Sequence, residues 1–254
     1  MPVTLRLAFR NLAQHAAKSL IVGSLLALGV FILILGNSFL DASARGIERS
    51  FTANYTGDVI ITGVANGDVS LFGVMSVGGM EETPVVPDYE KVFAHAAGLP
   101  GVKAVTGTAS GFGLITRGAD QAIEDTLKDA EDEEEQMDSF VMLFGVDAAN
   151  YWSLFDGIEL VQGSFLEPGK PGIMVGDERL ARIGKRLGRD LAIGDEILIQ
   201  GMGPTGMRLR SVPIVGTYRA PSDSAGPEQL SYIDIDTLRV LAGKRRATPL
   251  SDAL

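Results

Sequence analysis

The chain has 254 residues, of which 46% are hydrophobic and 21% are charged, and it contains no cysteine. A formal net charge of −10 argues against a nucleic-acid-binding protein and against attachment by anionic lipid, because both would require a basic surface. The absence of cysteine excludes disulfides, thiolate metal sites and a cysteine nucleophile, and two histidines argue against an all-histidine metal site.

Residues 1–18 have the pattern of an amphipathic helix. Apolar side chains recur on one face, and the basic residues Arg6, Arg10 and Lys18 recur at multiples of four on another. We expect this segment to lie in the cytoplasmic membrane interface, with these three residues on the cytoplasmic side. A simple basic anchor gives the same pattern.

Residues 19–40 contain no charged residue and predict a transmembrane helix. At about 1.5 Å per residue the run is roughly 33 Å long, enough to cross a hydrocarbon core of about 30 Å. Because basic residues stay on the cytoplasmic side, we expect the N-terminus in the cytoplasm and the chain after about residue 40 outside the inner membrane. The alternative is a cleaved signal peptide with Ala42-Ser43-Ala44 as its A-x-A site, although its apolar core usually spans only about 7 to 15 residues.

Two sets of residues in and beyond the span indicate packing. Small residues repeat every four positions within it and allow close approach of another helix, although such residues are common in membrane helices: Ser19, Gly23 and Ala27. Residues 41–56 are predicted to continue as a stalk helix, whose packing face has the spacing i, i+4, i+7, i+11: Leu40, Ala44, Ile47 and Phe51. Asn54 and Gly57 are expected to end this helix.

Residues 57–243 mix strand and helix signals and predict an extracytoplasmic α/β domain, followed by a basic tail at 244–254. Strands are expected at 58–62, 102–108, 139–146, 173–175, 197–200, 207–218 and 231–235. Helices are expected at 88–97, shortly after Asp147, at 177–187 and at 236–241.

Two segments of this domain lack a clear period. The glycine-rich, apolar segment 66–80 is interpreted as an ordinary loop, or as a hairpin that touches a partner or the membrane surface. Residues 120–138 include ten acidic side chains. Their carboxylate oxygens are ligands that calcium prefers, but the spacing of an EF-hand is missing, which favours a solvated insertion.

The sequence offers no catalytic, cofactor-binding or metal-binding residues. Residues 201–206 match G-x-G-x-x-G, but the dinucleotide fingerprint requires a following helix, and the next residues predict a strand. We therefore interpret them as a hairpin turn. Neither a P-loop lysine motif nor a G-x-S-x-G elbow occurs, which argues against an ATPase and makes a membrane-anchored hydrolase improbable.

Several short motifs occur in a fixed order along the chain. They are Ala8-Phe9-Arg10-Asn11-Leu12, Leu99-Pro100-Gly101-Val102, Leu143-Phe144-Gly145-Val146-Asp147, Leu160-Val161-Gln162-Gly163-Ser164-Phe165, Ile173-Met174-Val175-Gly176, Leu191-Ala192-Ile193-Gly194-Asp195 and Val215-Gly216-Thr217-Tyr218. In this order the chain resembles the N-terminal half of permease subunits of the MacB/FtsX/LolC-LolE class of bacterial ABC transporters.

The resemblance implies an α+β architecture: one N-terminal transmembrane helix with a stalk, then a mixed α/β extracytoplasmic domain of two porter-like lobes with an inserted subdomain. It implies a transporter subunit without chemistry of its own, which couples a partner ABC ATPase subunit to the movement of an extracytoplasmic lipoprotein, peptide or drug. The other partners it implies are membrane lipid and a second permease copy, or a chain that carries the missing spans.

A second hypothesis is a membrane-anchored extracytoplasmic binding or scaffold module without energy coupling. The sequence shows one apolar span where the permeases have four, which supports this reading.

Overall fold

The computed structural model describes residues 10, 14–65, 69–70, 73–76, 79–80, 84–117, 139–203, 206–220 and 230–244. The chain divides into two compact units, Met1–Arg49 and Ser50–Leu254. Our predictions for Arg6, for the acidic segment 120–138 and for the tail after residue 244 lie outside the described residues.

Nearly all of the described part of the first unit is one helix. Helix α1 spans Ala16–Phe51, which is 36 residues or about 54 Å at 1.5 Å per residue. Its segment Ala16–Gly46 has a mean hydropathy of 2.6 over its most apolar window. By length and composition, this is the one helix in the described part of the chain able to cross a membrane, a test that a signal sequence also passes.

The second unit begins with the last residues of α1 and a π-helical turn, Thr52–Thr56. A small antiparallel sheet follows, made of β1 (Val69–Ser70), β2 (Gly73–Ser76) and β3 (Gly79–Met80). The remaining elements are α2 (Tyr89–Ala97), β4 (Thr108–Thr116), β5 (Phe140–Val146), α3 (Tyr151–Leu154), β6 (Glu159–Gly163), β7 (Ile173–Gly176), α4 (Asp177–Leu187), β8 (Glu196–Gly203), β9 (Gly206–Arg219), β10 (Leu230–Asp234) and α5 (Ile235–Leu241).

Six of these strands form a closed barrel in the order β9-β7-β10-β5-β4-β8, with β8 pairing again to β9. Strand β9 closes the ring because it is 14 residues long. Its first half, up to Pro213, pairs with β8, and its second half, from Ile214, pairs with β7. Strand β6 is an additional strand on β9. The pairs β10–β5 and β7–β9 are parallel, and the other pairs are antiparallel.

Side chains alternate between two separate cores because successive residues of a strand point to opposite faces. The inner core is aliphatic, combines all six barrel strands with α4 and α5, and includes Leu143, Ile199 and Ile233. The outer core is rich in aromatic residues and includes Phe144 and Tyr232. Alternate residues of β5 and β10 therefore enter both cores.

Glycines in three strands make room for α5. A β-carbon at Gly111, Gly145 or Gly201 would crowd Leu238 or Leu241 of this helix. Leu238 and Leu241 are both buried in the inner core. Helix α5 therefore packs closely against the barrel at positions where the strands have glycine.

The structure confirms most of the predicted elements. The strands expected at 139–146, 173–175, 197–200, 207–218 and 231–235 and the helices expected at 88–97, 177–187 and 236–241 are present, with ends shifted by a few residues. The motif at 201–206 is a hairpin, in which Gly203 pairs with Gly206. The helix expected after Asp147 is the short helix α3.

Two predicted strands are wrong. Residues 58–62 have no strand pairing, and Val59, Ile60 and Ile61 are 79%, 55% and 54% exposed. Residues 102–107 are irregular, and the strand in this region is Thr108–Thr116. This strand is difficult to predict from the sequence because it contains glycines, which have low strand propensity. Gly111 and Gly113 are nevertheless required there, because Leu238 and Ile199 lie too close for a β-carbon.

The structure is mixed α+β with one N-terminal apolar helix, as predicted. Within the described residues, the second unit forms one closed barrel with a small separate sheet. It does not show the two porter-like lobes, because the long strand β9 joins all barrel strands into a single ring.

The barrel interior predicts a clear contrast between two isoleucines. Ile199→Ala removes a fully buried side chain from the inner core and should lower the free energy of unfolding by about 2–5 kcal/mol. The matched change Ile61→Ala, at a side chain that is 54% exposed, should change it by less than about 0.5 kcal/mol. Urea unfolding of the full chain in detergent measures both values. A large decrease in the free energy of unfolding for Ile61→Ala would contradict the exposed position of residues 58–62.

Candidate functional site

The surface of α1 is apolar along the whole predicted span. Its large hydrophobic side chains from Leu20 to Leu40 are 52–74% exposed. Burial of apolar surface is worth about 25 cal/mol per Å², and soluble proteins rarely expose contiguous patches of this size. The surface therefore requires lipid or another protein around it.

The three small residues Ser19, Gly23 and Ala27 lie along one face of α1, as their spacing requires. A β-carbon at Gly23 would meet nothing within 4 Å, so this face is open in the single chain. The packing role of the three residues stays a prediction.

The structure brings none of the other predicted positions into a cluster. Arg10 and Lys18 are exposed, and so are Leu40 and Ala44. Ile47 and Phe51 belong to α1, but their side chains lie outside the described residues. The roles of these residues in a cytoplasmic interface and a stalk interface also stay predictions.

The π-helical turn connects α1 to the barrel unit. The Gly57 amide donates to the Thr52 carbonyl at 3.0 Å, and Gly57 then leaves the turn with a φ of 62°. π-Helical turns are rare and occur often at functional sites. Tyr55, on this turn, is only 3% exposed.

Tyr55 belongs to an aromatic cluster, here called the aromatic junction, on the outer face of the barrel. Its members are Tyr55, Phe144, Tyr151, Trp152, Phe155, Phe165, Tyr218 and Tyr232. The ring centroids of Tyr55 and Phe144 are 6.1 Å apart in an edge-to-face arrangement, and those of Phe144 and Tyr232 are 5.9 Å apart. Such pairs contribute about 0.5–1.5 kcal/mol each beyond their buried area. The junction therefore anchors the π-helical turn to β5 and β10.

Two tyrosines of the aromatic junction also make hydrogen bonds to backbone carbonyls. The Tyr151 hydroxyl donates to the Asn54 carbonyl at 3.0 Å. The Tyr218 hydroxyl donates to the Leu230 carbonyl at 2.7 Å, within the barrel. Gly157 lies against the Asn54 side chain, which a β-carbon at this position would overlap.

Burial controls the ionisation of the junction tyrosines. Loss of water raises the pKa of Tyr151, Tyr218 and Tyr232 well above the ordinary value of about 10. A side-chain hydrogen bond with Tyr232 opposes the rise in the pKa of Tyr151, and Arg179 opposes it for Tyr218, whereas the charges of neighbouring tyrosines raise all three pKa values further. The hydroxyls therefore stay neutral donors and do not serve as acids or bases near neutral pH.

A cleft of about 250 Å³ lies between α4 and the β6–β9 pair. It is lined by Gln162, Asp177, Leu180, Ala181, Gly184, Asp190, Leu191 and Thr217. Asp177 accepts from the Thr217 hydroxyl at 3.4 Å and from the Arg219 guanidinium at 3.3 Å, so its carboxylate is already used within the fold. In the described part of the chain, no three histidine, aspartate or glutamate side chains converge to hold a metal ion.

Comparison with known proteins does not identify the chain. No known protein family matches the sequence, and no curated protein matches it.

The sequence reasoning missed the contacts of the aromatic junction. It assigned Asn54 to the end of a helix, but it did not bring Tyr55 to Tyr151. The hydrogen bond from Tyr151 to Asn54 joins residues 97 positions apart. The local signal was limited to the density of aromatic residues between 151 and 165.

The buried tyrosines predict a loss of stability at alkaline pH. Their folded pKa values exceed the unfolded value of about 10, so the unfolded state binds fewer protons than the folded state above that pH. Stability should be fully present below about pH 10 and fall above it, by up to about 1.4 kcal/mol per tyrosine and pH unit. Thermal melts between pH 8 and 12, with tyrosinate absorbance followed in parallel, measure this, and ordinary titration of all five tyrosines near pH 10 in the folded chain would contradict it.

The small-residue face predicts a position-specific effect in the membrane. Gly23→Leu should reduce association of α1 with another helix by about tenfold, because leucine prevents close approach there. Gly29→Leu is the matched control, since at about 100° per residue Gly29 lies roughly 120° around the helix from Gly23. The fraction of the full chain recovered in complexes, determined by native mass spectrometry, measures both effects. Equal losses at the two glycines would exclude a specific face.

Proposed function

We propose that this chain is the membrane subunit of an ABC transporter, which couples a partner ATPase to the movement of an extracytoplasmic cargo. In this proposal α1 is both the membrane span and the stalk, and the barrel is the outer domain. The cargo is a lipoprotein, a peptide or a drug.

One observation carries the proposal: α1 is unbroken for 36 residues, and the turn that follows it is packed into the barrel. Its length of about 54 Å exceeds a hydrocarbon core of about 30 Å by about 24 Å. A continuous helix with a firm attachment is suited to transmit motion along its length. Chemistry is not needed for that role.

The ordered motifs support the same proposal. They resemble the N-terminal half of the permease class, in which a cytoplasmic ATPase drives an outer domain through stalk helices. The two porter-like lobes with an inserted subdomain, the inner-membrane location and the cytoplasmic N-terminus belong to this proposal. Its partners are an ABC ATPase subunit, membrane lipid, and a second permease copy or a chain that carries further spans.

A specific observation favours the second candidate, a membrane-anchored binding or scaffold module. Val59, Ile60, Ile61 and Val64 follow the π-helical turn closely in sequence and are 79%, 55%, 54% and 99% exposed. Four exposed β-branched side chains in so short a segment are typical of a protein-binding surface. Such a module would hold a partner outside the membrane without an ATPase.

Isolation from the native membrane separates the two functions. The tagged full chain is extracted in mild detergent beside a tagged, unrelated single-span protein, and mass spectrometry identifies the proteins recovered with each. We expect an ABC ATPase and further permease spans to be recovered with this chain and not with the control protein.

An intact chain recovered without an ATPase would contradict the transporter and favour the scaffold. An intact mass that lacks the first 44 residues would show cleavage after the A-x-A motif and overturn the membrane anchor itself.

A further inference from the structure

We infer that Tyr151 and Gly157 form a latch around Asn54, which holds the π-helical turn on the barrel and is the coupling contact of the outer domain. The latch itself is a property of the fold. Its role in coupling rests on the proposed transporter function.

The first argument is the geometry of the helix end. The last carbonyls of a helix lack donors within the helix, and Gly57 turns the chain away with a positive φ. The Asn54 carbonyl is one of these groups. It is satisfied by the hydroxyl of Tyr151, a residue 97 positions away, at 3.0 Å. The barrel unit therefore caps the turn that ends the long helix.

The second argument is steric. Gly157 follows α3 in the same segment as Tyr151, and any side chain at this position would overlap the Asn54 side chain. A segment that is pressed this closely against Asn54 leaves the turn little freedom to shift. Tyr151 thus binds the backbone carbonyl of Asn54, and Gly157 packs against the Asn54 side chain.

The third argument is the π-helical turn itself. π-Helical turns are rare, and a rarely adopted backbone conformation persists where surrounding contacts enforce it. The enforcing contacts are Tyr55, which is buried against Phe144, and the latch at Asn54. The aromatic packing and the hydrogen bond can be changed separately, because Tyr151→Phe removes one oxygen atom and keeps the ring.

The structure supplies a matched control in Tyr218. Its hydroxyl is also buried and also donates to a backbone carbonyl, that of Leu230, at 2.7 Å. That bond lies within the barrel and does not involve the π-helical turn. Tyr218→Phe therefore removes an equivalent oxygen atom from the same aromatic junction without opening the latch.

Hydrogen exchange tests the latch on the full chain in detergent. In Tyr151→Phe, amides of residues 52–57 should exchange about 2- to 12-fold faster, as expected for the loss of one hydrogen bond, whereas those of β5 should not change. Gly157→Ala should accelerate the same amides. In Tyr218→Phe, residues 52–57 should exchange at the rate of the unchanged chain. Unchanged exchange of residues 52–57 in Tyr151→Phe, or equal acceleration in Tyr218→Phe, would overturn the latch.

Native membranes that contain the ATPase test the coupling role. A nucleotide-dependent change in exchange of β5 and α3 is expected in the unchanged chain and in Tyr218→Phe. It should be lost in Tyr151→Phe while the rate of ATP hydrolysis is retained. If the change persists in Tyr151→Phe, the latch is not the coupling contact. The absence of an ATPase from these membranes would contradict the proposed transporter function. The hydrogen-exchange rates of the isolated chain would still test whether the latch exists.

Discussion

The burial of β5 and β10 on both faces is the constraint on which the barrel unit depends. Leu143 and Ile233 enter the aliphatic inner core, while Phe144 and Tyr232 enter the aromatic outer core. The ring of strands covers the inner face by closing on itself. The outer face needs a separate layer, because strands that are apolar on both sides must be covered on both sides. The π-helical turn, α3 and the loop to Phe165 supply that layer.

The start of the second unit contributes to this layer. The layer that covers the outer face includes Tyr55, four residues after the end of α1. The barrel has a buried core, whereas α1 exposes apolar side chains along most of its length.

The sequence predicted the features that depend on neighbouring residues. The apolar run of α1 is visible because lipid acts on each side chain separately, and the strand at 140–146 is visible because it is almost continuously apolar. Helix α4 was predicted at 177–187, and Gly188, which ends it, has a φ of 70°. The hairpin at 201–206 followed from the strand signal after its glycines.

The features that the sequence did not predict depend on distant contacts. The glycines of β4 resemble those of a loop until α5 and Ile199 are placed beside them. The apolar residues 59–61 have strand propensity but no strand to pair with in the described part of the fold. The closure of the barrel by β9 and the meeting of Tyr55 with Phe144 likewise require the tertiary structure.

The central claim is that α1 crosses the membrane and carries the barrel outside the cytoplasm, and single-cysteine labelling tests it most directly. The chain has no cysteine, so Gln14→Cys and Ser164→Cys each introduce one thiol, at positions exposed in the structure. In spheroplasts, a membrane-impermeant maleimide should label Ser164→Cys at once and Gln14→Cys only after lysis. Protection of Ser164→Cys until lysis, or labelling of Gln14→Cys from outside, would contradict the account.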